Sequence, residues 1–351
     1  MAHAIFDSAA RVVDQAIAAR VFPGAVVEIG RHDRTISTIT RGTLTYGPDS
    51  AAVDDLTIYD LASLTKVLAT TALVMREIDL RRMRLNDPVR QWIPSWQGED
   101  RQGVTLADLL EHCSGLPANR PLFETRNGRA AFERAICDEP LEYPPRTRSV
   151  YTDLGFMLLG FAIEYASRET LDHAFDEWRD RELGAEVELK FRPPGSWLVR
   201  TAPTEDSSSG NAIRGVVHDE NAAALDRVAG HAGLFGTAAA VGVCARWWLS
   251  RAFDPPSSAS AFARFTRKSN VPGSSRALGW DTMLPASSCG TRLSTRAFGH
   301  TGFTGTSLWI DPAQDLYVVF LSNRVHPTRQ GEGIQQARRS LHDAIVSDLS
   351  R

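Results

Sequence analysis

Lysine is scarce in this chain. Of 39 basic residues only Lys66, Lys190 and Lys268 are lysine, and the rest are arginine. GC-rich codon usage accounts for such a ratio, but it makes any lysine in a chemically loaded setting worth attention. Cysteine is scarce too. Cys113, Cys137, Cys244 and Cys289 show no C-x-x-C spacing. That excludes a zinc ribbon or thioredoxin-like motif and leaves free, mostly buried thiols. Excess charge of one sign is also missing. A net charge of −3 argues against nucleic-acid and polybasic membrane partners. No apolar run reaches the ~18 residues of a membrane span. The N-terminus, Met1-Ala2-His3-Ala4-Ile5-Phe6-Asp7, lacks a charged segment followed by an apolar one. The expectation is a cytoplasmic chain without a membrane segment, or a periplasmic one if a leader has been removed. The motifs G-x-S-x-G, H-E-x-x-H and G-x-G-x-x-G are absent, which removes nucleophile-elbow hydrolases, zincins and dinucleotide binders. His218-Asp219-Glu220 gives the H-x-E of zinc deaminases without its P-C-x-x-C partner. No cofactor or metal is called for.

What is present is an ordinary globular composition, 351 residues with 43% hydrophobic and 23% charged, enough for a sizeable core. Apolar spacing predicts a helix over 4–20, strands over 25–29 and 36–40, and a strongly apolar helix over 64–78. From about 80 to 275 short helical patterns alternate with loops, with helices over 154–166 and 171–183 and few strands. Strands return over 278–283, 306–310 and 316–321. The last two flank a five-residue hairpin loop, Asp311-Pro312-Ala313-Gln314-Asp315. A helix over 332–349 closes the chain. Strands at both ends and helices between imply an α+β fold. Residues 1–60 and 276–351 form an antiparallel sheet domain flanked by helices, and 61–275 an inserted, mostly helical domain. The active site is expected in the cleft between them.

Three short segments carry chemistry. Ser63-Leu64-Thr65-Lys66 opens an apolar helix, and residues i and i+3 share a helix face. A serine hydroxyl is a poor nucleophile until a base takes its proton. Lys66 is such a base if burial lowers its pKa. Tyr151-Thr152-Asp153 precedes a helix, where Asp153 suits the N-cap. His300-Thr301-Gly302 lies in a glycine-rich stretch, 299–305, just before a strand. Its glycines permit close backbone approach to a ligand. His112 and His231 read as structural hydrogen-bonders. Trp92, Trp96, Trp247 and Trp248 read as packing residues of the helical part.

In order and spacing, S-x-x-K, Y-x-D and H-T-G together resemble the class C β-lactamase and penicillin-binding serine hydrolase family. So do Asp60–Lys66, Leu85-Asn86-Asp87-Pro88-Val89, Leu109–Pro117 and Gly299–Gly305. The resemblance implies the β-lactamase/transpeptidase-like fold and a serine hydrolase that forms an acyl-enzyme on Ser63. Lys66 and Tyr151 would share the proton transfers, and the backbone N–H groups of Ser63 and Phe303 would form the oxyanion hole. Asp153, His300, Thr301 and Gly302 would contact substrate, and Arg329 or Arg324 would meet a substrate carboxylate. Two departures matter. The third motif has His300 where many β-lactamases have Lys, a fixed cation. Asp153 replaces an Asn that would donate a hydrogen bond, and it is free to cap its helix and pair with Lys66. Both disfavour an efficient β-lactamase and favour an esterase or a cell-wall muropeptide amidase or peptidase. The substrate would be a small ester or amide, a β-lactam or a muropeptide. The alternatives are a class C-type β-lactamase and a catalytically poor penicillin-binding sensor.

Overall fold

A computed structural model describes residues 6–207, 209–253 and 262–350. Its main sheet is antiparallel, six-stranded and ordered β2-β1-β9-β8-β7-β6. The strands are β1 (Gly24–Gly30), β2 (Thr35–Gly42), β6 (Asp281–Thr282), β7 (Phe298–Thr301), β8 (Ser307–Asp311) and β9 (Leu316–Ser322). The first strand therefore pairs with the last, Val26 opposite Leu321, and joins the two ends of the sequence in one sheet. Three shorter strands, β3 (Tyr59–Asp60), β5 (Leu234–Gly236) and β4 (Leu189–Phe191), form a second antiparallel sheet.

The main sheet separates two cores because strand side chains alternate between its faces. Tyr317, Val319 and Leu321 of β9 pack with the helices of the middle of the chain. Leu316, Val318 and Phe320 pack with helices Asp7–Ala18 and Ile334–Leu349. Strand β9 is buried on both faces, so its sequence, Leu-Tyr-Val-Val-Phe-Leu, is a continuous apolar run.

The helix expected over 4–20 runs Asp7–Ala18, and residues 4 and 5 lie outside the described residues. The helices expected over 154–166 and 171–183 run Asp153–Ser167 and Leu171–Glu182. Four expectations need correction. Residues 62–79 are not one α-helix: a 3₁₀ turn (Ala62–Leu64) and a π-helical turn (Lys66–Thr70) precede the α-helix Thr71–Asp79. The strand expected over 278–283 shrinks to Asp281–Thr282, because Gly279 takes a positive φ of 84°. His300 and Thr301 belong to a strand, β7, rather than to a loop before one. Asp311 pairs with Leu316, so the hairpin loop holds four residues. The second sheet was not expected, since strands of two or three residues carry no readable alternation. Trp96 and Trp248 are fully buried and Trp92 and Trp247 partly. All four cysteines are free and buried. Among the described residues no helix is long and apolar enough to cross a membrane.

Candidate active site

The segment that presents Ser63 is held from below by Asp60. This buried carboxylate accepts the Ala62 N–H (2.8 Å) on one oxygen and the His218 N–H (2.7 Å) on the other. Ala62 is thereby held at φ 47°, a left-handed conformation that costs a residue with a Cβ about 1–2 kcal/mol. Ser63 follows in the 3₁₀ turn. The π-helical turn after it then carries Lys66. Such turns are frequent at functional sites. The Lys66 side chain is fully buried. Its Nζ donates to Ser63 Oγ (3.0 Å) and to the His231 carbonyl (3.2 Å), and lies 2.7 Å from Asp153 Oδ1.

Tyr151 and Asp153 are placed by the start of helix Asp153–Ser167. Its N-cap is Thr152, not Asp153: Thr152 Oγ1 accepts the Leu154 N–H (3.2 Å) and donates to the Pro117 carbonyl (2.6 Å). Asp153 stands in the first turn, where a negative charge complements the helix dipole. His112 accepts the Thr152 N–H at Nδ1 (3.1 Å) and packs its ring 4.7 Å from that of Tyr151. The Lys66 ammonium lies 5.0 Å from the Tyr151 ring centroid. Burial pulls the Lys66 pKa down, but Asp153 and then Tyr151 outweigh it and raise it above the ordinary lysine value. The condition set by the sequence reading, burial that lowers the Lys66 pKa, is outweighed here by these two partners. Without a ligand Lys66 is an ammonium.

Strand β7 and the turn to β8 complete the wall. Thr304 Oγ1 donates to the Asp60 carbonyl (2.7 Å) and Thr306 Oγ1 to the Leu61 carbonyl (3.1 Å). These bonds tie the turn to the nucleophile segment. Gly302 fits between them: a Cβ there would lie 2.1 Å from Thr306 Oγ1 and 2.7 Å from the Leu61 carbonyl. Arg324 Nε donates to the Phe303 carbonyl (2.8 Å) and fixes that peptide. The Phe303 ring is 51% exposed and stacks on His218. His300 is buried, and its Nδ1 meets the Thr301 carbonyl at 2.8 Å, so the proton lies on Nδ1. Burial first, then Arg276 and Lys66, hold its pKa well below the usual histidine value. His300 is therefore neutral at physiological pH and does not supply the fixed cation of a lysine at that position.

Ser63, Tyr151, Asp153, His300, Thr301, Gly302, Phe303 and Arg329 all line one cavity of about 550 Å³. Lys66 reaches it through Ser63 and Asp153. Arg329 is already engaged: it binds Glu205 at 2.5 Å and Glu220 at 2.7 Å. Burial raises the Glu205 carboxyl, but Arg329 overrides this and holds it at about 2. The expected role of Arg329 as an open receptor for a substrate carboxylate does not fit this arrangement. Arg324, the other candidate, donates to the carbonyls of Phe303, Arg329 and Gly331. Two lining arginines escaped sequence reasoning. Arg276 places its guanidinium 4.9 Å from the Tyr151 ring centroid. Arg338 is buried and donates to the carbonyls of Gly302 and Thr306, both at 2.8 Å. Nothing in the local pattern distinguishes either from the chain's many other arginines. Behind the wall His231 Nε2 meets Asp219 Oδ1 at 2.8 Å. Among the described residues no group of three or more His, Cys, Asp or Glu is placed to hold a metal.

The Beta-lactamase family model matches residues 9–342. A putative D-alanyl-D-alanine carboxypeptidase of Salmonella gallinarum is 31% identical over 313 residues, which cover 77% of this chain and 70% of that protein. Among solved structures, a β-lactamase from Sulfitobacter sp. EE-36 superposes with a TM-score of 0.79 at 21% identity, covering 100% of this chain and 99% of the other. EstCE1, a hydrolase with promiscuous acyltransferase activity, superposes with a TM-score of 0.77 at 20% identity over 98% and 99%. The chain belongs to the Beta-lactamase family and is a serine hydrolase of it, with the α+β fold of that family.

Proposed function

We propose that the protein cleaves a small ester or amide through an acyl-enzyme on Ser63, with Lys66 and Tyr151 as its proton-transfer pair. One observation carries the reading. Ser63 Oγ, at the wall of the cavity, is 3.0 Å from a buried lysine that is itself held by Asp153. In this reading residues 1–60 with 276–351 and residues 61–275 supply opposite sides of one cleft.

The Lys66–Tyr151 pair must give up one proton before it acts as a base. Ser63 Oγ then attacks the carbonyl carbon while its proton passes to the pair. The carbonyl electron pair moves to oxygen, where the N–H groups of Ser63 and Phe303 stabilise it. Collapse breaks the bond to the leaving group, which takes the proton from the pair. Water attacks the acyl carbonyl, gives its proton to the same pair, and Ser63 recovers its own as the acid departs.

The relatives named as D-alanyl-D-alanine carboxypeptidases suggest a D-alanyl peptide as substrate, and the likeness to EstCE1, a hydrolase with acyltransferase activity, keeps other acyl donors such as esters open. Asp153 supports these over β-lactams, because its carboxylate engages Lys66 instead of offering an amide N–H. The test is a panel of p-nitrophenyl butyrate, nitrocefin, a D-Ala-D-Ala peptide and a muramyl-L-alanine peptide. A fluorophosphonate adduct should map to Ser63 by mass spectrometry. Ester hydrolysis that survives in Ser63→Ala would end the proposal. A stable penicillin adduct on Ser63, with no turnover of any panel member, would support the sensor reading instead.

A further inference from the structure

The Gly302 carbonyl and the Phe303 N–H are the two ends of one peptide group. In a trans peptide they point in opposite directions, so whatever fixes the carbonyl also aims the N–H. Arg338 Nη2 donates to the Gly302 carbonyl at 2.8 Å. The same nitrogen donates to the Thr306 carbonyl at 2.8 Å, and that oxygen also accepts the Gly302 N–H at 2.7 Å. One guanidinium nitrogen thus spans both sides of the turn between β7 and β8. The Gly305 N–H reaches the Gly302 oxygen too, at 3.2 Å, but that bond is longer and its donor is neutral. Among the described residues the Phe303 N–H has no acceptor within the protein. It is left available where Phe303 and Arg338 line the cavity.

Arg338 is held in a place that disfavours its charge. It is 5% exposed, leaves its Nε without a partner, and makes no ion pair among the described residues. A buried cation is normally paired with a carboxylate. Burial pulls its pKa down to about 9, which still leaves it a cation at neutral pH. The other side-chain bonds to this turn hold neighbouring groups: Thr304 and Thr306 reach the nucleophile segment, and Arg324 the Phe303 carbonyl. Arg338 brings a full charge to the peptide that carries the N–H. A cation on an amide oxygen draws electron density from the nitrogen, and linked hydrogen bonds polarise one another. A negative oxygen forming on the far side of that peptide would compensate the charge of Arg338 in the transition state and not before it.

We infer that Arg338 is a positioning residue of the oxyanion hole, which aims the Phe303 N–H and strengthens it as a donor through the Gly302–Phe303 peptide. The inference rests on the acyl-enzyme reading above, in which that N–H meets the carbonyl oxygen. Arg338 itself neither binds the substrate nor transfers a proton.

The test changes one atom of the substrate. p-Nitrophenyl butyrate is compared with its thionoester, which has C=S in place of C=O, on wild type, Arg338→Lys and Arg338→Gln. Sulfur is a weak hydrogen-bond acceptor, so an oxyanion hole favours the ester. The readout is the ester-to-thionoester ratio of kcat/KM, in which general losses from a displaced Ser63 or a partly folded sample cancel. The wild-type ratio should exceed that of spontaneous hydrolysis. Arg338→Gln, a neutral donor, should lower it about tenfold, a fraction of the 10²- to 10³-fold cost of deleting an oxyanion-hole donor outright. Arg338→Lys, which keeps the charge, should restore part of it. Both substrates slowed alike in Arg338→Gln, with the ratio unchanged, would overturn the inference, because a merely structural residue behaves that way. Thermal melts establish folding, and failure of both variants to fold would assign Arg338 to the fold alone and overturn it too. Hydrolysis that survives in Ser63→Ala, or a wild-type ratio no higher than the spontaneous one, removes the acyl-enzyme reading and the inference with it. Hydrolysis that needs Ser63, with a ratio indifferent to Arg338, sinks only the inference.

Discussion

Replacing Asp153 by Asn removes one charge and little volume, which makes it the sharpest probe of the Lys66 environment. Asp153 Oδ1 lies 2.7 Å from Lys66 Nζ, and the Lys66 side chain is fully buried. In the wild type, burial acts against the ammonium, and the carboxylate, with Tyr151, outweighs it. In Asp153→Asn the burial remains and the chief counter-charge is gone. The proton pair then gives up its proton more readily. The ascending limb of the kcat/KM profile, which reports the free enzyme's essential base, should move toward lower pH. At an effective dielectric constant of about 20, unit charges about 4 Å apart attract by about 4 kcal/mol. One pH unit corresponds to about 1.4 kcal/mol. Part of the attraction survives, because the Asn oxygen still accepts a hydrogen bond from Lys66. The expected displacement is therefore about 1–3 pH units. The assay is p-nitrophenyl butyrate hydrolysis followed from about pH 6 to about pH 11, a range that reaches past the ordinary lysine value, corrected for spontaneous hydrolysis and read at the isosbestic wavelength of nitrophenol. Thermal melts would establish that the variant is folded. A limb that stays in place, or moves to higher pH, would refute the argument that Asp153 keeps Lys66 charged.

Lys66→Arg keeps the cation and abolishes its ability to lose a proton, so activity should fall about 10²- to 10⁴-fold. Lys190→Arg, at a half-exposed ion pair with Asp176, should match wild type in the same assay. Gly302→Ala puts a methyl group 2.1 Å from Thr306 Oγ1. It should lower both esterase rate and stability, the latter by about 1–3 kcal/mol, measured by urea denaturation. Ala62→Gly relieves a residue held at φ 47° and should raise stability by up to about 1 kcal/mol, visible as a higher melting temperature. The esterase rate should fall, since Ala62 also packs against the turn that carries Phe303.

The parts of the fold with a clear period or punctuation were legible in the sequence. Strand β9, a run of apolar residues before Asn323, and helix Leu171–Glu182 fall within one or two residues of expectation. The chemical triplets were legible as well, because each combines residue types that serve proton transfer or close approach. The rest depended on distance. Whether Lys66 is charged is decided by Asp153, far along the chain, and periodicity cannot report that. Arg329 looked free in the sequence only because its partners, Glu205 and Glu220, lie 124 and 109 residues earlier in the chain. Arg276 and Arg338 were indistinguishable among so many arginines until the fold placed them on one wall. The break from 3₁₀ to π to α after Asp60 was hidden too, since turns of three and five residues are too short to establish an apolar period of their own.

The pairing of β1 with β9, and the bonds from Thr304 and Thr306 back to Asp60 and Leu61, also bear on how the enzyme is made. On the ribosome Ser63 and Lys66 emerge early, long before the turn that supplies Phe303. Strand β1 must wait with one edge open until β9 has been synthesised. Contacts this remote in sequence are slow to form, and unpaired strand edges invite aggregation meanwhile. A nascent or C-terminally truncated chain would hold the nucleophile without its opposite wall. In the proposed mechanism Ser63 is therefore armed only once strand β9 has been made.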